Sequence, residues 1–193
     1  MIWSLCLIFC LSNSMLVIAS PAKHHLCLPD QRDALWEFKN EFFVQEFDPS
    51  IFGTRTEKWR NNTDCCTWDG ISCDPKTGKV VGLYLMLSGL NGPLGFNSSL
   101  FRLQHLQFLD LTSNNLSGIL PVSIGNLKYL MELRLGGCHL FGKIPSSLGN
   151  LTYLTNLDLA VSDFTGELPD SIGRLNKLTR VASSISHTQW EIS

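Results

Sequence analysis

LQHLQFLDLTSNNLSGILPVSIGN, residues 103–126, is followed without a gap by LKYLMELRLGGCHLFGKIPSSLGN, 127–150, and by LTYLTNLDLAVSDFTGELPDSIGR, 151–174. The strings share one 24-residue register. Leu103, Leu127, Leu151 and Leu175 form a column, and so do Leu106, Leu130, Leu154 and Leu178. A third holds Leu109, Leu133, Leu157 and Val181, and a fourth Leu111, Leu135 and Leu159. Gly118, Gly142 and Gly166 align, as do Pro121, Pro145 and Pro169, and Ile124, Leu148 and Ile172. Upstream, Leu83, Leu85, Leu90 and Gly92 match Leu109, Leu111, Leu116 and Gly118 at an offset of 26, and Leu100 returns to 24. The first unit therefore carries two extra residues between Gly92 and Leu100, in a loop on the convex side.

Leu109 and Leu111, two apart, place both side chains on one face of a short strand and turn Asp110 the other way. The glycine and proline that follow forbid a continuing helix. Each unit must turn back, and its one-sided apolar face can be buried only against its neighbours. The expected architecture is an α/β solenoid, with a parallel sheet along one side. A helical reading of Leu103, Leu106 and Leu109 fails at Leu111. Where the chain leaves the strand, the column reads Ser88, Asn114, Cys138 and Ser162. Side chains here bond the backbone of the turn, a task Asn does best and Cys weakly, so Cys138 is expected as a buried free thiol.

Ahead of the repeats, Pro29 and Asp30 open a stretch in which Leu35, Phe38 and Phe42 recur at helical spacing, with Asp30 and Asp33 in the first turn. Trp59 and Trp68 bracket a cysteine pair and should pack inside the same small module. In an exported chain Cys27, Cys65, Cys66 and Cys73 form disulfides. A bond between adjacent Cys65 and Cys66 would be strained, which leaves two pairings. We favour Cys27 with Cys65 and Cys66 with Cys73, worth roughly 4 and roughly 2.5 kcal/mol in the chain-entropy account. A zinc site is the weaker reading, because the spacing lacks the usual C-x2-4-C clip.

Met1 to Ser20 contains no Asp, Glu, Lys or Arg and reads as a secretory signal, with small residues at Ser20 and Ala22 favouring cleavage after Ala22. No later stretch approaches the roughly 20 apolar residues that span a bilayer. The expected organisation is a signal over 1–22, a cap over 23–78, repeats over 79–181 and an irregular tail over 182–193. With 44% apolar residues, 17% charged residues and a net charge of -2, the chain can build a core and shows no basic footprint for nucleic acid.

The solvent face of the strands presents Tyr84, Asp110, Arg134 and Asp158 in one column. Gln107, Met131 and Thr155 form a second, and Phe108, Glu132 and Asn156 a third. Tyr84, Gln107, Asp110, Glu132, Arg134, Asn156 and Asp158 are the candidate ligand face. The plainer reading is a solvated sheet whose Asp110, Arg134 and Asp158 pair across strands. Asn61, Asn97, Asn115 and Asn150 begin Asn-x-Ser/Thr sequons and are candidate glycan acceptors. His105 and His139 have no recognisable catalytic partner, and no G-x-S-x-G, H-E-x-x-H or phosphate-cradling glycine loop occurs, so neither an enzyme nor a cofactor is expected.

The pattern L-x-x-L-x-x-L-x-L-x-x-N-x-L-x-G-x-[IL]-P resembles the plant-specific extracellular leucine-rich repeat. Cys27, Trp59, Cys65-Cys66, Trp68-Asp69-Gly70 and Cys73 resemble the N-terminal cap of plant leucine-rich repeat receptors. The resemblance covers about residues 27–181 and is closest to the membrane-anchored receptor-like proteins, which lack kinases and serve in pathogen perception or development. It implies a right-handed superhelix with a disulfide-linked helical cap, and a secreted, glycosylated recognition module in the extracellular space or cell wall. It further implies an extracellular protein or peptide ligand and a co-receptor kinase. Such receptors carry more repeats, a C-terminal cysteine cap, a transmembrane helix and a cytoplasmic tail. Here the pattern dissolves after Val181, where Ser183 replaces the second strand leucine. The chain therefore reads as a truncated receptor ectodomain whose uncapped last repeat is a weak end. The alternatives are a soluble inhibitor of a microbial cell-wall hydrolase, resembling the polygalacturonase inhibitors, or a truncated gene product without independent function.

Overall fold

The computed structural model describes residues 26–44 and 55–183. The expected signal and cleavage point, and the tail from residue 184, lie outside the described residues. Pro29, whose fixed φ suits the first helical position, starts α1 (Pro29–Asn40). Gln31, Ala34, Leu35 and Phe38 are buried along one face at helical spacing. The helix stops before Phe42, which still packs edge-on against Phe38 at 5.1 Å. A short strand, β1 (Phe43–Val44), follows.

Two tryptophans fill the cap. Trp59 is fully buried and stacks on Trp68 with centroids 5.0 Å apart. Their indole N–H groups donate to Asp69 O at 3.0 Å and to Thr63 Oγ1 at 2.7 Å, so neither buried ring leaves a polar atom unpaired. Cys27 is bonded to Cys65 and Cys66 to Cys73, with Cα separations of 5.4 and 5.6 Å. The Asp64 carboxylate accepts from the backbone N–H of both Cys27 and Cys66, holding the chain's entry against the turn at Cys65–Thr67.

From the cap the chain runs through β2 (Ile71–Cys73), antiparallel to β3 (Val80–Tyr84). It continues into β4 (Leu90–Asn91), β5 (Phe108–Asp110), β6 (Gly118–Ile119), β7 (Glu132–Arg134) and β8 (Leu140–Gly142). Last come β9 (Asn156–Leu159), β10 (Asp163–Phe164) and β11 (Arg180–Ser183). The front sheet has six strands in the order β11-β9-β7-β5-β3-β2, all parallel from β3 onward. Leu83, Leu109, Leu133, Leu157 and Val181 stand in register across it. The pattern expected to dissolve after Val181 does not break the strand: Ser183 pairs with Leu159, because ladder bonds need backbone and not a leucine.

Behind the front sheet, β10, β8 and β6 form a smaller parallel sheet that the leucine pattern does not announce. Short 3-10 turns at Ser99–Arg102, Val122–Asn126, Ser146–Asn150 and Asp170–Arg174 complete each coil. Pro121, Pro145 and Pro169 precede the last three turns with φ of -72°, -70° and -66°, the value the ring imposes. The offset is 26 at Leu83 and Leu109 and 24 at the buried pair Leu100 and Ile124, so the two extra residues lie between those points.

Stacking distance is set by glycine. A Cβ on Gly125 would sit 2.6 Å from the Ser147 carbonyl oxygen, and one on Gly149 2.3 Å from that of Ser171. At Gly173, in the last coil, such an atom would meet nothing within 4 Å. Burial fades the same way. Leu127 and Leu151 are fully buried, Leu175 and Leu178 are 5% and 9% exposed, and the turn Asp170–Arg174 buries no residue.

The expected ladder at the strand exits is built around Asn114. Its Oδ1 accepts from the N–H of Ser88 and Leu90 at 3.1 and 3.0 Å, and its Nδ2 donates to the carbonyls of Leu85 and Leu111 at 2.7 and 2.8 Å. Cys138, one repeat on, is fully buried and free, its Sγ donating to Leu111 O at 3.0 Å. Just before each ladder residue the backbone takes a positive φ: 54° at Leu87, 56° at Ser113, 65° at Gly137 and 53° at Val161.

Candidate ligand face

Because side chains alternate along a strand, the residue between the two buried leucines of each repeat faces out of the front sheet. Asp110 and Arg134 are neighbours there, 3.8 Å apart, and Arg134 also pairs with Glu132 of its own strand at 2.6 Å. Asp158 does not complete the expected Asp–Arg–Asp row. Its carboxylate accepts from the Ala160 N–H at 2.9 Å and lies against Gly136, where a Cβ would approach Oδ1 to 3.0 Å. Asp110 makes the equivalent bond to the Thr112 N–H at 3.0 Å. Both aspartates thus brace the strand exit, a task an arginine cannot perform because it has no acceptor.

Asp110, Arg134, Asn156 and Asp158 converge on a hollow of about 400 Å³. Met86, Thr112 and Arg180 also line it. Sequence reasoning passed over these three. Their signal is positional: Thr112 stands two residues after Asp110, and Arg180 lies 24 residues after Asn156. Tyr84 stands to one side, stacked on Phe108 at 6.4 Å, with its ring over Gly82, where a Cβ would fall 2.7 Å from Cε2. Desolvation first, and the Glu132 charge second, push its phenol above the usual tyrosine range. Gln107 is not part of this group. It lines a separate hollow of about 220 Å³ at the flank, beside His105 and Tyr129.

The sequon residues Asn61, Asn97, Asn115 and Asn150 are all exposed. Asn115 donates through Nδ2 to Asn91 Oδ1 at 2.9 Å. The sulfurs of Cys27, Cys65 and Cys66 lie within 4.8 Å of one another, but each is in a disulfide and offers no thiolate to a cation. Burial pushes the Cys138 thiol up to about 12, far from a nucleophile's range. Among the described residues no helix is long and apolar enough to cross a membrane.

A disulfide-linked helical cap leading into leucine-lined coils, with a parallel sheet on one side, defines a leucine-rich repeat solenoid. The description "Leucine rich repeat N-terminal domain" matches residues 28–74, and "Leucine Rich Repeat" matches 105–127 and 129–151. Receptor-like protein 48 of Arabidopsis thaliana is 73% identical over 126 residues, covering 65% of this chain and 15% of its own length. Receptor-like protein 47 of the same plant is 70% identical over 125 residues, with the same coverage. The solved BIR2 ectodomain from Arabidopsis thaliana superposes with a TM-score of 0.68 at 27% identity, over 81% of this chain and 79% of that one. A chain of the BIR3–SERK2 complex from that plant gives 0.62 at 30% identity, over 78% and 79%. PEPR1 in its structure with AtPEP1 gives 0.65 at 30% identity, over 80% and 21%. The chain belongs to the plant extracellular leucine-rich repeat receptor-like proteins. It spans about 15% of the length of these two curated relatives.

Proposed function

We propose that this chain is a secreted, non-enzymatic recognition module that binds an extracellular protein or peptide on its front sheet and works with a co-receptor kinase. The observation that carries this reading is the hollow bordered by Asp110, Arg134, Asn156 and Asp158. It is open, lined by charged and apolar groups together, and built on a sheet whose backbone is held by ladder bonds on both sides. Such a surface is preorganised, so little conformational freedom is lost when a ligand docks. Arg180 and Met86 extend it toward either end of the sheet and offer a ligand one cation and one adaptable apolar contact. The solved complexes of related ectodomains, PEPR1 with AtPEP1 among them, support binding of this kind. Asn61, Asn97, Asn115 and Asn150 are assigned as glycan sites, which would narrow the faces open to partners.

The test is affinity capture from cell-wall fluid, with the chain produced in plant cells. The double variant Arg134→Ala/Asn156→Ala should lose a discrete bound species that the native chain retains, with an unchanged melting temperature. The same species on both forms, or none on either, contradicts the reading.

A further inference from the structure

The turn that leads from each 3-10 segment into a front strand carries a solvent-facing side chain immediately before the second buried leucine. His105, Tyr129, Tyr153 and Lys177 occupy this place at intervals of 24 residues. They form a continuous stack. The His105 ring lies 5.9 Å from that of Tyr129, Tyr129 lies 6.0 Å from Tyr153, and the Lys177 ammonium sits 4.3 Å from the centre of Tyr153. Tyr129 and Tyr153 remain 51% and 46% exposed. At the His105 end the stack opens into the flank hollow of about 220 Å³, whose wall includes Lys79, Thr77 and Asp74.

Three cations face one anion on this flank, the Asp74 carboxylate. Lys79, Lys128 and Lys177 border the stack, and among the described residues none of them is in an ion pair. The neighbouring carboxylate, Asp74, is committed to its own turn. It accepts from the N–H of Lys76 and Thr77 and from the Thr77 hydroxyl, and these bonds hold its pKa below the usual carboxylate range.

We propose that this flank is a second binding site, distinct from the front sheet, for a linear acidic polysaccharide of uronate-type sugars. A solenoid offers equivalent groups at constant spacing, and a polymer of identical sugars presents equivalent groups in return. The half-open rings supply negative faces for the sugar C–H groups, and their hydroxyls supply donors and acceptors. The lysines at the two ends and the middle match carboxylates carried along the polymer. The rings are already held by mutual stacking and by Lys177, which lowers the ordering cost of binding. A broad protein interface fits less well. The strip is one residue wide, bordered by Gln104, Lys128, Thr152 and Asn176 on one side and by Gln107, Met131, Thr155 and Thr179 on the other. Such surroundings lack the apolar core that a stable interface needs.

The test is calorimetric titration of the purified chain with a short oligomer of α-1,4-linked galacturonic acid. A neutral glucan oligomer and a polyglutamate peptide of equal length serve as comparisons. The acidic sugar should bind, with affinity falling as salt is raised. Tyr129→Ala/Tyr153→Ala should weaken it about tenfold or more with the fold intact, whereas the Tyr→Phe pair should lose less and Arg134→Ala nothing. Lys79→Ala/Lys177→Ala should weaken binding and flatten its salt dependence. Equal binding of polyglutamate, equal binding of the neutral glucan, no loss in the tyrosine-to-alanine pair, or no binding at about 1 mM oligomer would each overturn the proposal.

Discussion

The Gln31 side chain accepts a hydrogen bond from the Val80 backbone N–H at 2.6 Å, across a sequence separation of 49. Gln31 belongs to α1 and Val80 begins β3, so one buried amide fastens the cap to the first parallel strand of the front sheet. Replacing Gln31 by Leu keeps the volume and leaves that N–H without a partner, which should cost about 1–3 kcal/mol. Chemical denaturation of the variant would check this, with Arg32→Ala, half-buried and paired only with its neighbour Asp33, expected within about 0.5 kcal/mol of native.

Asn114 makes four backbone bonds, three of them to the preceding coil. Asn114→Ala should be among the most destabilising single changes in the repeats, on the order of 3 kcal/mol, because several buried groups lose their partners together. Urea midpoints would measure it. Asn114→Asp should recover little, since a carboxylate cannot donate to the Leu85 and Leu111 carbonyls.

Cys138 occupies the same ladder place but donates only weakly through its thiol. Cys138→Asn should therefore stabilise the fold by roughly 1 kcal/mol, and Cys138→Ala should destabilise it. The thiol carries a pH signature too. Its folded pKa is raised to about 12 from 9.0, so its contribution is fully present below about pH 9 and is lost as pH rises toward 12. Unfolding at stepped pH should show a steeper alkaline loss in the native chain than in Cys138→Ala, where the raised Tyr84 pKa still leaves a smaller one. Alkylation at pH 8 should be slow and follow local opening.

Val161 is a β-branched residue at φ 53°, where the preceding repeat has Gly137 at 65°. Val161→Gly should be neutral to stabilising by up to about 1 kcal/mol, and Gly137→Val should cost about 1–2 kcal/mol. Thermal melts should place Gly137→Val below the native chain and Val161→Gly at or above it.

Much of this architecture was legible in the leucine columns, because a strict period of 24 forces equivalent positions into equivalent contacts. The 26-residue offset located the irregular first coil, and Leu83 pairs with Leu109 as that offset requires. The rear strands were not legible: two or three residues such as Gly118 and Ile119 are too few for alternation to register. Nor was the role of Gly125 and Gly149, since the obstructing atoms, the Ser147 and Ser171 carbonyl oxygens, come from the next coil. At the front sheet the columns gathered Asp110, Arg134, Asn156 and Asp158 correctly in space. Asp110 and Arg134 do pair across strands at 3.8 Å, but Arg134 also reaches Glu132 two residues back on its own strand, and Asp158 turns to Ala160 instead. The stack from His105 to Lys177 was present as a 24-residue spacing, yet side-chain stacking along a solenoid edge has no hydropathy signal.

The most direct test of the front-sheet account is site-specific photo-crosslinking in plant tissue. A photoreactive side chain would replace Asn156, in the hollow's wall, or Ser123, on the opposite, convex side. The account predicts a discrete adduct at position 156, abolished by Arg134→Ala, and none at 123. Adducts of equal yield at both positions, or an adduct confined to position 123, would contradict it.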